Sequence, residues 1–532
     1  MRAIDPFLRG LSLAPDRPAL IDAKAPDQPV SYAALGTMVE ALAGWLAGVA
    51  LAGGGEAPGR VAVLSPNAAR GFAVVLSCLR AGITWVPINA RNALDENLFI
   101  MNQAKVSVLA VADAFADDLP RILAAVPGIT AVLMLGDAPP PAGGGGLVVA
   151  VADGVLADPP PPAPDPVHDP DRVSSVLSTG GTTGRPKGVV WTDRMWEALT
   201  LSIWAHMPMT DGAPPVHLVA APMTHAAGVI AVPLLAGGAT TVILPRADPQ
   251  AIMAAIARHR VTHLFLPPTV IYMILADAEA RRHDTSSLRY LIYSAAPMAP
   301  DKLADAMALF GPVLVQGYGQ AEIPLMGTFM GAAEHAAALA SGNRARLMSA
   351  GRPGLASAVS IRDDAGRPVP VGETGEICFR GSLITPGYDG RPDLTAEHRF
   401  GDWHRTGDLG FIDAEGYVSI VDRARDMIIS GGFNVYSAEV ERAILAHPGI
   451  RDCAVIGVPH DIWGEAVTAI IEPVSGTGLD LDALSAQLRA ELGGVKAPKA
   501  IEIWPELPRS PVGKVLKRQI RDTHWKDRLR KI

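Results

Sequence analysis

From Ser178 to Gly188 the chain reads Ser-Thr-Gly-Gly-Thr-Thr-Gly-Arg-Pro-Lys-Gly, directly after the apolar run Val173 to Leu177. Four glycines and three threonines in so short a loop let the backbone approach an anion closely, with amide and hydroxyl donors turned inward, and Lys187 adds a positive charge. That is chemistry for handling phosphate. The loop is not a Walker loop, because no G-x-x-x-x-G-K-[ST] spacing can be threaded through it and Pro186 precedes the lysine. Thr179, Gly180, Gly181, Thr182, Thr183 and Gly184 are therefore the candidate phosphate contacts. Three further segments end on a group that can carry charge at a reacting centre: Gln316-Gly317-Tyr318-Gly319-Gln320-Ala321-Glu322, Trp403-His404-Arg405-Thr406-Gly407-Asp408 and Pro508-Arg509-Ser510-Pro511-Val512-Gly513-Lys514.

Taken in order, these segments resemble those of the AMP-forming adenylate synthetases, the superfamily of acyl-CoA synthetases, luciferases and peptide-synthetase adenylation domains. Pro222-Met223-Thr224-His225-Ala226-Ala227-Gly228 is similar to the segment whose histidine borders the acyl pocket, and Ser294-Ala295-Ala296-Pro297 to the adenine-binding strand. The resemblance implies that Gln316, Gly317, Tyr318 and Gly319 hold the adenine, with Tyr318 stacked on it, and that Glu322 holds Mg²⁺. It implies that Asp408 accepts hydrogen bonds from both ribose hydroxyls, with Arg423 nearby, and that Lys514 is the catalytic lysine. Asp422-Arg423-Ala424-Arg425-Asp426 resembles the hinge motif, with Arg425 at the pivot, and Gly431 and Gly432 lie in a segment similar to the one beside the pantetheine tunnel. His225, Gly228 and Ile323 are the pocket candidates. Gly180 and Ala321 stand where serine and threonine are frequent, so two hydroxyl donors to phosphate are missing.

The residue types suit the reaction so implied. A carboxylate is a poor acyl donor because its oxygen would have to leave as oxide. Attack on the α-phosphorus of ATP makes that oxygen part of AMP, a good leaving group, and expels pyrophosphate. Such a step asks the protein for positioning and for positive charge around a crowded anionic transition state, here Lys514, Lys187 and Mg²⁺. The sequence thus reads as an AMP-forming carboxylic acid:CoA ligase with ATP, Mg²⁺ and coenzyme A. His225–Val229, Ser294–Met298 and Ile323–Met326 contain no Arg or Lys to pair a second carboxylate, which points to a hydrophobic monocarboxylic acid. Ala226, Ala227, Gly228, Ala295 and Ala296 suggest a wide pocket, suited to aryl or branched acids as well as fatty ones. Two rivals are an enzyme that loads a carrier-protein pantetheine and a non-catalytic nucleotide-binding relative. The chain has no fused carrier segment, which favours free CoA, and it keeps Lys514, which favours catalysis.

Elements that would position these residues follow from hydrophobic periodicity. Val61 to Ser65, a helix from about Asn67 and Ile83 to Asn89 form a βαβ unit, and strand and helix patterns alternate again from Val216 to Gly319. That pattern predicts an α/β fold of parallel-rich sheets with helices on both faces and ligands beyond the strands' C-terminal ends. After Gly372 short strands predict a small barrel-like β region. The charged run at 422–426 marks a boundary, giving an N-terminal domain over 1–422 and a small mobile α+β domain over 423–532 with helices near 438–446 and 481–492. The Pro- and Gly-rich stretches 139–146 and 159–166 read as surface linkers at one edge.

Composition narrows the classes. The 532 residues exceed one ordinary domain, and 49% hydrophobic content with 19% charge supplies ample core. A net charge of −8 argues against nucleic acid as a partner, leaving the acid, ATP and CoA, and a homodimer is compatible with it. Cys78, Cys378 and Cys453 form no CxxC pair, which fits a reducing, cytoplasmic setting. Charges interrupt the N-terminal run, so no leader is expected. The uncharged stretch Gly212 to Pro245 is broken by prolines and by Gly237-Gly238 and reads as buried strand–helix–strand rather than a membrane span.

Overall fold

The computed structural model describes residues 1–52, 59–141, 146–179, 186–209, 212–296, 298–423, 426–430, 433–460, 463–474, 476–510 and 513–525. The chain divides into two compact units, one of Met1–Val359 with Phe379–His404 and one of Ser360–Cys378 with Arg405–Ile532.

The first unit holds two sheets. The βαβ unit read from sequence is present as Arg60–Ser65, Ala69–Ala81 and Thr84–Asn89, with the two strands parallel and Val61 opposite Trp85. Both belong to a seven-stranded sheet, in order 148–151, 131–134, 108–111, 60–65, 84–89, 173–179 and 187–192. Only its last pair, 173–179 with 187–192, is antiparallel. Near-continuous apolar runs follow from burial on both faces: Ala62, Leu64, Val86 and Ile88 pack into one wholly buried cluster. The helix Ala69–Ala81 ends on Gly82, whose left-handed φ of 71° lets its N–H cap Cys78 O.

The nine-stranded sheet runs 352–353, 323–330, 314–320, 290–293, 263–266, 216–219, 240–243, 18–22 and 30–31. From 290–293 across to 240–243 its neighbours are parallel. The stretch Gly212 to Pro245 forms strand 216–219, helix 226–235 and strand 240–243, almost wholly buried. Among the described residues one helix, Tyr32–Ala50, is long and apolar enough to cross a membrane, and half of it is buried within the protein. Its Tyr32, Leu35, Leu42 and Leu46 are at most 2% exposed, and Tyr32 Oη donates to Ala239 O at 2.7 Å, as in a core helix.

The second proline-rich stretch lies at the surface, as expected, with Ala163 its one buried residue. Ala163 is buried against Ala43 and Ala47, and a side chain on Gly44 would collide with Pro161 O. Residues 159–166 are thus a surface segment seated on the helix 32–52 at Pro161 and Ala163.

In the second unit, strand 403–412 pairs with 418–423 in register Asp408 to Arg423, and this hairpin runs through the 422/423 boundary expected from sequence. The compact unit accordingly begins earlier than the charged run, since ladder bonds tie residue 423 back to residue 408. Its other sheet runs 433–435, 428–430, 464–473, 450–460, with 500–503 parallel to 464–473. Helices 437–445 and 481–496 pack on it through Val440, Ile444, Leu484 and Leu488.

Candidate active site

The phosphate-type loop joins an antiparallel pair whose last register is Thr179 to Lys187. Gly180, Gly181, Thr182, Thr183 and Gly184 lie outside the described residues, as do Pro297, Arg425, Gly431 and Gly432. The strand pair fixes Lys187, whose Nζ sits 5.3 Å from the centre of the Tyr388 ring and 3.5 Å from His398 Nε2. Tyr388 Oη donates to Glu322 Oε1 at 2.8 Å. Lys187, expected at the phosphates, and Glu322, the expected metal carboxylate, are therefore joined through one aromatic ring. The joint is braced, because Thr385 N donates to Glu322 O at 2.9 Å, Thr385 Oγ1 to Val190 O at 2.6 Å, and Trp191 Nε1 to Ala321 O at 2.6 Å. Where threonine is frequent, Ala321 thus contributes a backbone acceptor for a buried indole.

Electrostatics follow from burial. The Tyr388 phenol is held well above its usual range by desolvation and by the Glu322 anion, so it stays a donor. His398 is pushed below its usual range by burial and by Lys187, so at neutral pH it leaves Lys187 as the only cation of this trio. Glu322 is 8% exposed. Among the described residues no three His, Cys, Asp or Glu side chains converge as a metal cage. A single buried carboxylate suits Mg²⁺, which takes one or two protein carboxylates and completes its shell with phosphate oxygens and water.

Of the residues expected at the adenine, Ala295 and Ala296 follow the end of strand 290–293, whereas Gln316 to Gly319 lie within strand 314–320, which runs parallel to it with Tyr293 opposite Gln316. Ser294 is buried, Ala295 and Ala296 are exposed, and Ala295 takes a left-handed φ of 74°, an uncommon conformation for alanine. Tyr293 Oη donates to Gln316 Oε1 at 3.2 Å. Gly317 and Gly319 are required by the neighbouring strand: an added Cβ would lie 2.6 Å from Leu325 O and 2.1 Å from Ile323 O respectively. Tyr318 is 9% exposed, with its ring tilted against Phe379.

His225 precedes the helix Ala226–Leu235, its backbone O accepting from Gly228 N at 3.1 Å, and its side-chain Nε2 lies 3.5 Å from Asn89 Nδ2. Burial, with help from Arg91, lowers its pKa and favours the neutral imidazole. Gly228 is irreplaceable on steric grounds, since a Cβ there would fall 1.9 Å from Met223 O. Ile323 is wholly enclosed in the sheet.

In the second unit, Asp408 and Arg423 face each other across the hairpin, Oδ1 to Nε 3.4 Å, with Asp408 5% exposed. Lys514 is exposed on a turn closed by Ser510 N to Lys514 O at 2.7 Å and Lys514 N to Ser510 Oγ at 3.1 Å. Arg509 pins that turn to the sheet, donating to Asp452 Oδ2 at 2.7 Å and to Glu472 Oε2 at 2.8 Å. Glu472 is 1% exposed; burial works against its charge, but Leu507 N–H and Arg509 outweigh it and hold the carboxyl below its usual range. Around the charged run, Ser437 Oγ donates to Asp422 Oδ1 at 3.0 Å and Arg521 pairs with Asp426 at 2.9 Å.

Tyr388, His398, Arg509 and Glu472 were not singled out from the sequence. A lone tyrosine or histidine in a loop carries no spacing signal. For Arg509, its place inside the Lys514 segment was a usable cue.

Residues 9–389 match the family model of the AMP-binding enzymes, and residues 439–514 match that of the AMP-binding enzyme C-terminal domain. The chain is 35% identical over 497 residues to a feruloyl-CoA synthase of an Amycolatopsis species, across 92% of this chain and 93% of that one. It is 32% identical over 474 residues to the medium/long-chain-fatty-acid–CoA ligase FadD8 of Mycobacterium tuberculosis, across 87% and 81%. The crystal structure of ATP-bound MatB from Rhodopseudomonas palustris matches with a TM-score of 0.84 at 30% identity over 99% of each chain. Parallel-rich sheets bearing these segments in this order define an adenylate-forming enzyme. The chain belongs to the AMP-binding enzyme family, as an AMP-forming carboxylic acid:CoA ligase that uses ATP and CoA and passes through an acyl-adenylate.

Proposed function

We propose that the acid is a hydrophobic monocarboxylate, aryl, branched or fatty, and that free CoA takes the acyl group. The observation that carries the first half-reaction is the Lys187–Tyr388–Glu322 joint, which couples a phosphate-side cation to a buried carboxylate. Mg²⁺ held by Glu322 would offset the charge of the departing pyrophosphate. Thr179 to Gly184 and Lys187 cradle the phosphates, Ala295 to Pro297 and Gln316 to Gly319 hold the adenine, and Asp408 with Arg423 holds the ribose. Lys514 stabilises the adenylation transition state from the part of the chain that follows strand 418–423 and turns about Arg425. Its withdrawal leaves room for the CoA thiol, which Gly431 and Gly432 guide. His225 and Gly228 border the acid, whereas Ile323, expected there from the sequence, is wholly enclosed in the sheet. Support for an apolar acid comes from the uncharged segments His225–Val229 and Ile323–Met326 and from the feruloyl and fatty-acid names of the relatives.

A panel of aryl, branched and straight-chain acids, assayed for pyrophosphate and AMP release with and without CoA, tests this. Thioester formation with apolar monocarboxylates is the expected result. Turnover only of dicarboxylates, or adenylate formation that CoA never discharges, would refute the substrate or the acceptor respectively.

A further inference from the structure

A small cavity lies between strands 60–65 and 84–89 and the start of the helix 226–235. Val63, Ser65, Phe72, Trp85, Thr224 and Gly228 are among its lining residues, and none of the lining residues is charged. Its volume is about 30 Å³, room for one or two non-hydrogen atoms and too little for a ring. Two polar atoms of this lining are buried without a hydrogen-bond partner among the described residues, Trp85 Nε1 and Thr224 Oγ1. Trp85 is 4% exposed. Buried donors are seldom left unpaired in a folded protein, because each then bears its desolvation cost with nothing in return. An indole N–H can only donate, so whatever completes the site must bring an acceptor.

The cavity is aligned with the acid's expected position. Successive side chains of a strand alternate faces, so Trp85, Pro87 and Asn89 share one side of strand 84–89, and Asn89 is the residue beside His225. The opposite side carries Val86 and Ile88 into the apolar cluster described above. Thr224 and Gly228, which flank His225 in the chain, line the cavity as well, so it adjoins the place where the acid is expected.

We infer that this cavity is a far-end subsite for the acid, and that it receives one neutral oxygen, a hydroxyl or a carbonyl, borne at the end of the substrate distal to its carboxylate. Trp85 Nε1 donates to that oxygen and Thr224 Oγ1 pairs with it. A second carboxylate is excluded, because among the described residues no cation lines the cavity to offset its desolvation. The inference rests on His225 bordering the acid, and it specifies which apolar monocarboxylates are preferred.

The test uses the full-length enzyme with ATP and Mg²⁺, pyrophosphate release, and two matched pairs: omega-hydroxydecanoate with decanoate, and para-hydroxyphenylpropanoate with phenylpropanoate. At least one oxygenated acid should exceed its parent by about tenfold in kcat/KM. Trp85→Phe and Thr224→Val should each pull that ratio to about twofold or below, by lowering the oxygenated acid toward its parent. A ratio near one in wild type, or a preference that survives both variants, overturns the inference and leaves a trapped water as the partner of the two atoms. Pyrophosphate release with neither pair, while other acids turn over, likewise overturns it; no release with any acid defeats the underlying reading of the site instead.

Discussion

Replacing Tyr388 by Phe removes one oxygen atom from the joint between Lys187 and Glu322 and leaves the ring in place. The contact of Lys187 with the ring face, 5.3 Å, is therefore kept, and the 2.8 Å hydrogen bond to Glu322 Oε1 is lost. A hydrogen bond to a charged acceptor contributes about 1.5–3 kcal/mol, and Glu322 is buried enough that water cannot readily replace the donor. If the bond serves to orient the carboxylate toward Mg²⁺, the expected result is a rise of roughly 10- to 100-fold in the Mg²⁺ concentration for half-maximal adenylation, the range typical of groups that orient a metal ligand. Binding of Mg²⁺–ATP measured by calorimetry should weaken in parallel. Thioester formation from supplied acyl-AMP should stay within about threefold of wild type, because pyrophosphate has already left. An unchanged Mg²⁺ requirement in a folded variant would refute the reasoning and make Tyr388 a packing residue. Equal slowing of both half-reactions would show instead that it supports the pocket as a whole.

Lys514→Ala should abolish adenylation and spare thioester formation from added acyl-AMP, and equal loss in both half-reactions would reassign the lysine to structure. Arg509→Ala, which frees the Lys514 turn from Asp452 and Glu472, should slow adenylation by about 10- to 100-fold with the same half-reaction selectivity, and Arg509→Lys should recover part of it. Asp408→Ala should weaken ATP binding by roughly 10- to 150-fold and slow both half-reactions, since a charged contact of about 1.5–3 kcal/mol is removed; unchanged ATP affinity would take the residue out of the site. Stability should fall as pH drops below about 6.5, because His217, His263 and His404 are pushed down to about 3 by burial and stay neutral in the fold while the unfolded chain takes up protons. Each contributes a slope of about 1.4 kcal/mol per pH unit between those values, and His217→Leu should flatten urea midpoints measured from pH 7 to 5 by one such share; an identical slope in the variant would dismiss the account.

What the sequence determined by itself is whatever local backbone chemistry forces. The alternation of apolar runs with helical patterns fixes parallel strands, since a run buried on both faces can only be the middle of a covered sheet, and the strands at 60–65, 84–89 and 290–293 fall where the runs lie. Gly228, Gly317 and Gly319 could be chosen from their motifs, and the close approaches of Met223 O, Leu325 O and Ile323 O explain why no other residue fits there. Only the tertiary structure decided which distant groups meet. Tyr388 bridges Lys187 and Glu322, and Arg509 reaches Glu472, through contacts between segments with no shared period, so no window of sequence contains the signal. The stretch 159–166 divides the same way: composition places it at the surface, and only the tertiary structure decides that Ala163 seats on Ala43 and Ala47 of a distant helix. Periodicity is set by a residue's neighbours in the chain, whereas side-chain partners are set by which faces the sheets must bury.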